Sequence, residues 1–364
     1  MSARDGSRDN NFTTIRIILA WLVLYGHSYA IQPVAGIQDP LNQIFQGSIW
    51  IGELAVYGFF GISGFLVAAS LVKRGIMDYI ISRVLRIFPA LIVCVFASVF
   101  FLGPVLTTLS LSDYFSHPKT WSYLGNALAF LKMEWMLPGV FENNTRTAIN
   151  GSLWTLTVEV RCYLLLAALT FLGFRLNKMV GNGLVLALFV LGVMSFESIP
   201  LLGINPKWSK PALYFVIGAL CYLNRDKVFL DYRIAFLAVV LASFSFGEKW
   251  FGYVFPPALI YLLFYVAYST KQLPTDAIIG DISYGIYIYA WPVQQIIAQS
   301  FPGQTPYFNT LASSLIVIPL AWLSWHGIEK RILSCKKILL GHTGSQELFL
   351  RAKALLKRNV SESP

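Results

Sequence analysis

Two ionisable residues, Arg16 and His27, stand in the apolar run Phe12 to Ile31, a stretch otherwise fit for lipid. On a helix they would lie about three turns and roughly 16 Å apart along one stripe. Ionisable groups at membrane depth are costly unless they face a bundle interior or a water-filled cavity, so they are functional candidates by default. A neutral imidazole can take a proton, which is the chemistry of general-base activation of a hydroxyl. The plainer alternative is a structural histidine bonded to a backbone carbonyl.

Further stretches carry usable side chains. In Arg83-Val-Leu-Arg86-Ile-Phe-Pro89 the two arginines are neighbours on a helix face. Paired guanidiniums at a membrane surface suit phosphate, and they suit lipid headgroups equally. In Gly151-Ser152-Leu153-Trp154-Thr155-Leu156-Thr157-Val158-Glu159 the carboxylate would lie roughly 10–12 Å deep from the outer side. That is the level His27 reaches from the inner side, so Glu159 could orient the imidazole, or pair with an intramembrane arginine. Arg161 points elsewhere on the helix and needs a partner of its own. In Ser283-Tyr284-Gly285-Ile286-Tyr287 the two tyrosines share a face and could line a polar cavity together with Ser283, or belong to an interfacial aromatic belt. Gly58, Gly61 and Gly64 form a small-residue face for close helix approach, with Ser63 beside it as a cavity-lining candidate and Trp154 as another. His117, His326 and His342 read as structural.

The elements that must position these residues are membrane helices. Of 364 residues, 56% are hydrophobic and only 13% charged, whereas a soluble globule carries about 25% charge. Apolar runs recur at about 12–31, 53–72, 88–107, 152–171, 181–196, 211–224, 233–247, 253–269, 282–300 and 307–328. This predicts an all-α polytopic bundle of about ten spans. Residues 1–330 form one membrane domain and 331–364 a basic tail. The first run is long and lacks a small-residue cleavage site, which makes it an uncleaved span.

The net charge of +10 is compatible with nucleic acid, but the basic residues collect at alternate ends of the apolar runs. That pattern excludes a nucleic-acid surface and puts both termini in the cytoplasm. Ile76 to Pro89 is expected to lie along the cytoplasmic interface, Trp121 to Leu131 to form a short re-entrant helix, and Gln346 to Arg358 an interfacial amphipathic helix against lipid. The cysteines, Cys94, Cys162, Cys221 and Cys335, share no short loop, so neither a disulfide framework nor a metal site is expected. Sequons begin at Asn143 and Asn150 in the outer loop. No internal repeat is visible.

Taken together, the Arg-x10-His pair, Phe59-Phe60-Gly61-Ile62-Ser63-Gly64-Phe65, Arg83-x-x-Arg86-Ile-x-Pro89, Ser152-Leu153-Trp154-Thr155-Leu156-x-x-Glu159 and Ser283-Tyr284-Gly285-Ile286-Tyr287 resemble the acyltransferase-3 family of integral membrane acyltransferases. The resemblance runs from Arg16 to Ile328. It implies a bacterial inner-membrane O-acyltransferase without a permanently bound cofactor. Its donor would be cytoplasmic acyl-coenzyme A, most often acetyl-coenzyme A. Its acceptor would be a hydroxyl of an exported polysaccharide or lipid-linked saccharide. By the same resemblance Arg16 and His27 match an essential pair, Arg83 and Arg86 a coenzyme-phosphate motif, and Glu159 a carboxylate of the fourth span. Tyr57 and Ala290 stand where many members have an acid and a histidine. No hydrolase-like domain follows the last span, so the membrane domain would act alone or hand its acyl group to an envelope-assembly partner. Acylation of a small molecule is an alternative. So are a transporter or flippase for an anionic lipid-linked saccharide, and an assembly scaffold.

Overall fold

The computed structural model describes residues 10–129, 133–169, 178–199, 202 and 205–340. Its described residues are helical, without a strand. The main helices are α1 (Phe12–Ile31), α2 (Ile51–Arg74), α3 (Ile76–Ala97), α4 (Trp154–Leu169), α5 (Lys178–Met194), α6 (Ser209–Leu223), α7 (Tyr232–Phe244), α8 (Phe251–Ser269), α9 (Ser283–Ser300) and α10 (Pro306–Ser324). The expected apolar runs overlap these helices, with 88–107 divided between the end of α3 and the turns that follow it. Among the described residues, α1, α2, α8, the unbroken run Ile76–Leu106 and the run Pro306–Ser334 are long and apolar enough to cross a membrane. The expected helix at Gln346 to Arg358 lies outside the described residues, as does His342.

The segment Ile76 to Pro89 runs on without a break into the third expected span, through a π turn, Ser98–Leu102, to Leu106. Gly75, at φ 81°, provides the break before it, and no comparable breaker follows. Pro89 sits inside the helix. The stretch beginning at Trp121 forms only the end of a five-residue helix, Pro118–Ser122, and a 3₁₀ turn, Tyr123–Leu128. Leu131 lies outside the described residues.

Packing follows the small residues. A Cβ built on Gly64 would fall 2.0 Å from the Phe215 carbonyl oxygen, and one on Gly218 2.0 Å from the Gly61 oxygen. The backbones of α2 and α6 therefore touch, an approach only glycine permits. At the centre is α9, buried continuously from Ser283 to Gln295. This explains its polar character: its neighbours are protein rather than lipid. Gln294 Nε2 donates to Leu24 O at 2.9 Å and Ser28 Oγ at 2.8 Å, while Asn309 Nδ2 donates to Gln32 Oε1 at 3.0 Å. Each such interhelical bond is worth about 0.6 kcal/mol. Together they fix the rotation of α1 against α9 and α10, and so fix where Arg16 and His27 face. The outer loop closes over α9: Asn150 Nδ2 donates to Ile288 O at 2.8 Å and Gln295 Nε2 to Ala148 O at 2.8 Å. The second sequon asparagine is consequently buried.

Candidate active site

Helix α4 carries two stripes. Thr155, Glu159 and Tyr163 recur every four residues and form one; Trp154, Thr157 and Arg161 form the other. Each stripe lines its own cavity. The first cavity, of about 360 Å³, takes Arg16 from α1, Val56 and Ser63 from α2, Arg83 and Arg86 from α3, and Asp281, Ser283, Tyr284 and Tyr287 around the start of α9. Trp325, Arg74 and Lys336 also line it. The second, of about 1040 Å³, takes His27, Trp50, Glu53, Tyr57, Trp154, Arg161, Trp208 and Lys210. Helix α1 thus contributes Arg16 to one cavity and His27 to the other. Val56, Thr155 and Tyr287 line both.

In the first cavity the arginines are not equivalent. Asp281 bridges Arg16 at 2.6 Å and Arg86 at 2.8 Å. Arg86 also reaches Glu329 at 3.3 Å, and its guanidinium lies 5.7 Å from the Tyr284 ring centroid and 5.4 Å from that of Trp325. A π turn, Trp325–Glu329, continues α10 and brings both groups to Arg86. Arg83 lies 5.8 Å from the Tyr163 centroid. Among the described residues it has no carboxylate partner, and its Nε is buried without a hydrogen bond. The expected symmetric fork therefore resolves into an anchored Arg86 and an available Arg83. Asp281 lies in the loop before α9. Burial pushes its carboxyl up, but Arg16, Arg86 and Ser283 outweigh this and hold it down at about 2. Ser283 Oγ donates to Asp281 at 2.5 Å, and the Tyr284 hydroxyl donates to Ile87 O at 2.8 Å.

Glu159 does not meet His27. It accepts from Ser63 Oγ at 2.9 Å and from the Tyr163 hydroxyl. A depth along the helix axis gave no azimuth, and the Thr155–Glu159 stripe faces the arginines. His27 is buried, with its ring edge-on to Trp291 at 4.7 Å and tilted against Trp50 at 6.0 Å. Its Nδ1 has no hydrogen-bond partner, and among the described residues no carboxylate pairs with it. Glu53 and Glu134 also line the second cavity, and Glu53 accepts from the Tyr57 hydroxyl and pairs with Lys210 at 3.5 Å. Tyr57, standing at a position where an acid was looked for, thus binds an acid one turn earlier. Arg161 stacks 4.9 Å from the Trp208 centroid.

Sequence reasoning missed Asp281, Glu329, Glu53 and the shared wall. The signal for the first two was present: intramembrane arginines require counter-charges, and Asp281 stands two residues before Ser283. Among the described residues no His, Cys, Asp and Glu cluster could hold a metal ion.

A helical membrane bundle with a basic cavity and a histidine-bearing cavity meeting at one wall is the form of a two-substrate membrane enzyme. The sequence profile of the acyltransferase-3 family, described as an acyltransferase domain, matches residues 9–326, and the chain belongs to that family. It is an enzyme that transfers acyl groups. The chain is 29% identical over 346 residues to an "O-acetyl transferase" of Shigella phage Sf6, covering 90% of this chain and 97% of that protein. It is also 26% identical over 363 residues to "Nodulation protein 10" of Rhizobium leguminosarum bv. viciae, covering 91% and 95%. No solved structure matches it.

Proposed function

We propose that the protein moves an acetyl group from acetyl-coenzyme A, held in the arginine cavity, to a saccharide hydroxyl in the His27 cavity. The observation that carries this reading is the pair of cavities that meet at Val56, Thr155 and Tyr287. The chemistry of each lining fits one substrate. Arg83 offers a coenzyme phosphate a guanidinium that makes no ion pair among the described residues, and Arg74 and Lys336 extend the positive lining. Arg16, charge-paired with Asp281, supplies a second cation. Trp50, Trp154 and Trp208 offer ring faces on which a sugar can stack, and Glu53, Lys210 and Arg161 offer polar contacts to its hydroxyls.

The transfer balances without a cofactor. His27 takes the proton of the acceptor hydroxyl as its oxygen attacks the acyl carbonyl carbon. A C–O bond forms and the C–S bond breaks. The proton held on His27 passes to the departing thiolate, which leaves as coenzyme A thiol. Glu159 acts on the donor side by holding Ser63 and Tyr163 in place. The name of the phage relative supports acetyl as the group carried and oxygen as the receiving atom.

The collected basic segments support a cytoplasmic side for the arginine cavity in a bacterial inner membrane, the side where acyl-coenzyme A is made. The acceptor is then an exported polysaccharide or lipid-linked saccharide. Membranes of the native cell given radiolabelled acetyl-coenzyme A test this reading. Label should enter the glycan fraction with the wild-type gene and not with His27→Ala. Absence of label with the wild type, or equal label with both, overturns it.

A further inference from the structure

The two cavities are separated by three side chains whose positions are fixed. The Tyr287 hydroxyl and Thr155 Oγ1 lie 3.0 and 3.1 Å from Ser152 O and within hydrogen-bonding distance of each other, so with one proton apiece one donates to the carbonyl and the other to its neighbouring hydroxyl. Both residues are buried. The third residue common to both linings is Val56, half-buried on α2 and packed against the main core. A β-branched side chain on a helix is held to essentially one rotamer. The wall thus joins two posts, tied to each other and through one of them to a backbone oxygen, with one stiff aliphatic side chain. It has few ways to yield.

We infer that Val56, Thr155 and Tyr287 form a rigid aperture that sets the length of the acyl group transferred. This rests on the donor and acceptor sites proposed above. If the thioester lies in the smaller cavity and the hydroxyl in the larger, the acyl carbon must meet that hydroxyl at the wall that both cavities share. The acyl chain is then the part of the donor that the wall confines. A short chain fits between the posts and Val56; each further methylene must displace one of them. One extra methylene against a fixed apolar surface changes selectivity by about 10- to 200-fold. Two extra methylenes, from acetyl to butyryl, should therefore separate the donors by about 100-fold or more. None of the three touches the coenzyme phosphates in this arrangement, and none takes the proton. They act as specificity-determining residues.

The experiment compares acetyl- and butyryl-coenzyme A as donors in membranes of the native cell lacking its own copy of the gene, complemented with each variant, and reads the ratio of kcat/KM values. Wild type should favour acetyl. Val56→Ala should raise the butyryl-to-acetyl ratio by about tenfold or more, and Tyr287→Phe, which unties one post, should raise it as well. Val56→Ile should move it the opposite way. Because the measured quantity is a ratio, a variant that expresses poorly still reports. A wild type indifferent to chain length overturns the inference, as does a ratio unchanged in all three variants or loss of transfer from both donors in all three. These results leave the proposed transfer standing wherever wild type acetylates. A wild type that transfers from no donor removes the proposed transfer itself.

Discussion

Arg83 and Arg86, one helical turn apart, should fail in different ways when neutralised. Arg86→Gln removes the cation that offsets Glu329, which is 1% exposed, while Asp281 keeps Arg16. Breaking a buried pair by deleting one partner costs about 3–5 kcal/mol, because the remaining charge stays buried. At a few degrees per kcal/mol, the melting midpoint of the detergent-purified protein should fall by on the order of 10 °C. Arg83→Gln removes a cation with no carboxylate among the described residues, so the midpoint should change little. What it should lose is a charge-assisted bond to the donor, worth about 1.5–3 kcal/mol. At 1.4 kcal/mol per tenfold, that raises KM for acetyl-coenzyme A about ten- to 150-fold. The assay pairs thermal unfolding, followed by size-exclusion fluorescence, with donor titrations in membranes. If Arg83→Gln melts as low as Arg86→Gln and leaves KM unchanged, the division of labour between the two arginines is wrong.

His27→Ala should lower kcat by about 10²- to 10⁴-fold and leave the affinity for acetyl-coenzyme A nearly intact, since His27 lines the other cavity; donor binding by calorimetry checks the second half. Gly64→Val should abolish folded protein, because its Cβ would meet the Phe215 backbone at 2.0 Å, whereas Gly58→Ala, which meets the flexible Leu19 side chain at 3.0 Å, should still give a monodisperse protein. Asp281, held down at about 2, contributes stability that is complete above the ordinary carboxylate value of about 3.9 and lost only as pH falls through about 2. The difference in melting midpoint between wild type and Asp281→Asn should therefore be constant from pH 8 to pH 5, and a gap that narrows there refutes the assignment. Cys335 is the exposed cysteine of the described residues. It should react with a membrane-impermeant maleimide in inverted vesicles and stay unlabelled in intact cells if the basic end of the bundle is cytoplasmic.

Much of the helical architecture was legible because lipid imposes long apolar runs, and the expected runs overlap helices. The shared helix of Arg16 and His27 was legible for the same reason, since two costly residues stand in one run. The Gly58, Gly61 and Gly64 face was legible because small residues at helical spacing can do little in a membrane except let another helix approach. The placement of Glu159 was not. Its depth follows from counting residues, but the face it presents depends on how α4 is rotated in the bundle, which no local pattern records. Nor was the difference between Arg83 and Arg86 legible. It arises from Asp281 and Glu329, which lie 195 and 243 residues from Arg86 in the chain.

A membrane enzyme that binds a polyanion on cations faces a conflict, because the cations must be stable before the polyanion arrives. A cluster of bare guanidiniums would be costly in the empty bundle; a fully paired cluster would have no charge left to offer. The first cavity resolves this by sharing. One aspartate serves two arginines, and a buried glutamate with two aromatic rings completes the cage around Arg86. Arg16 and Arg86 are matched by Asp281 and Glu329, while Arg83 shares the cavity with Glu159, which accepts from Ser63 and Tyr163 and makes no ion pair with it. Arg74 and Lys336 sit at the edge of the cavity and share Asp78, at 4.0 and 2.8 Å. The cavity is thus a neutralised, rigid floor under a graded positive rim. Under the proposed reading, the floor holds α1, α3, α9 and α10 in register, the rim attracts the phosphates, and Arg83 alone changes partner during the catalytic cycle. Double substitution of Arg86 and Glu329 by glutamine removes one charge of each sign. It should recover much of the stability that Arg86→Gln loses, and restore donor binding with it, because the pair's role is to hold the floor and not to touch the donor.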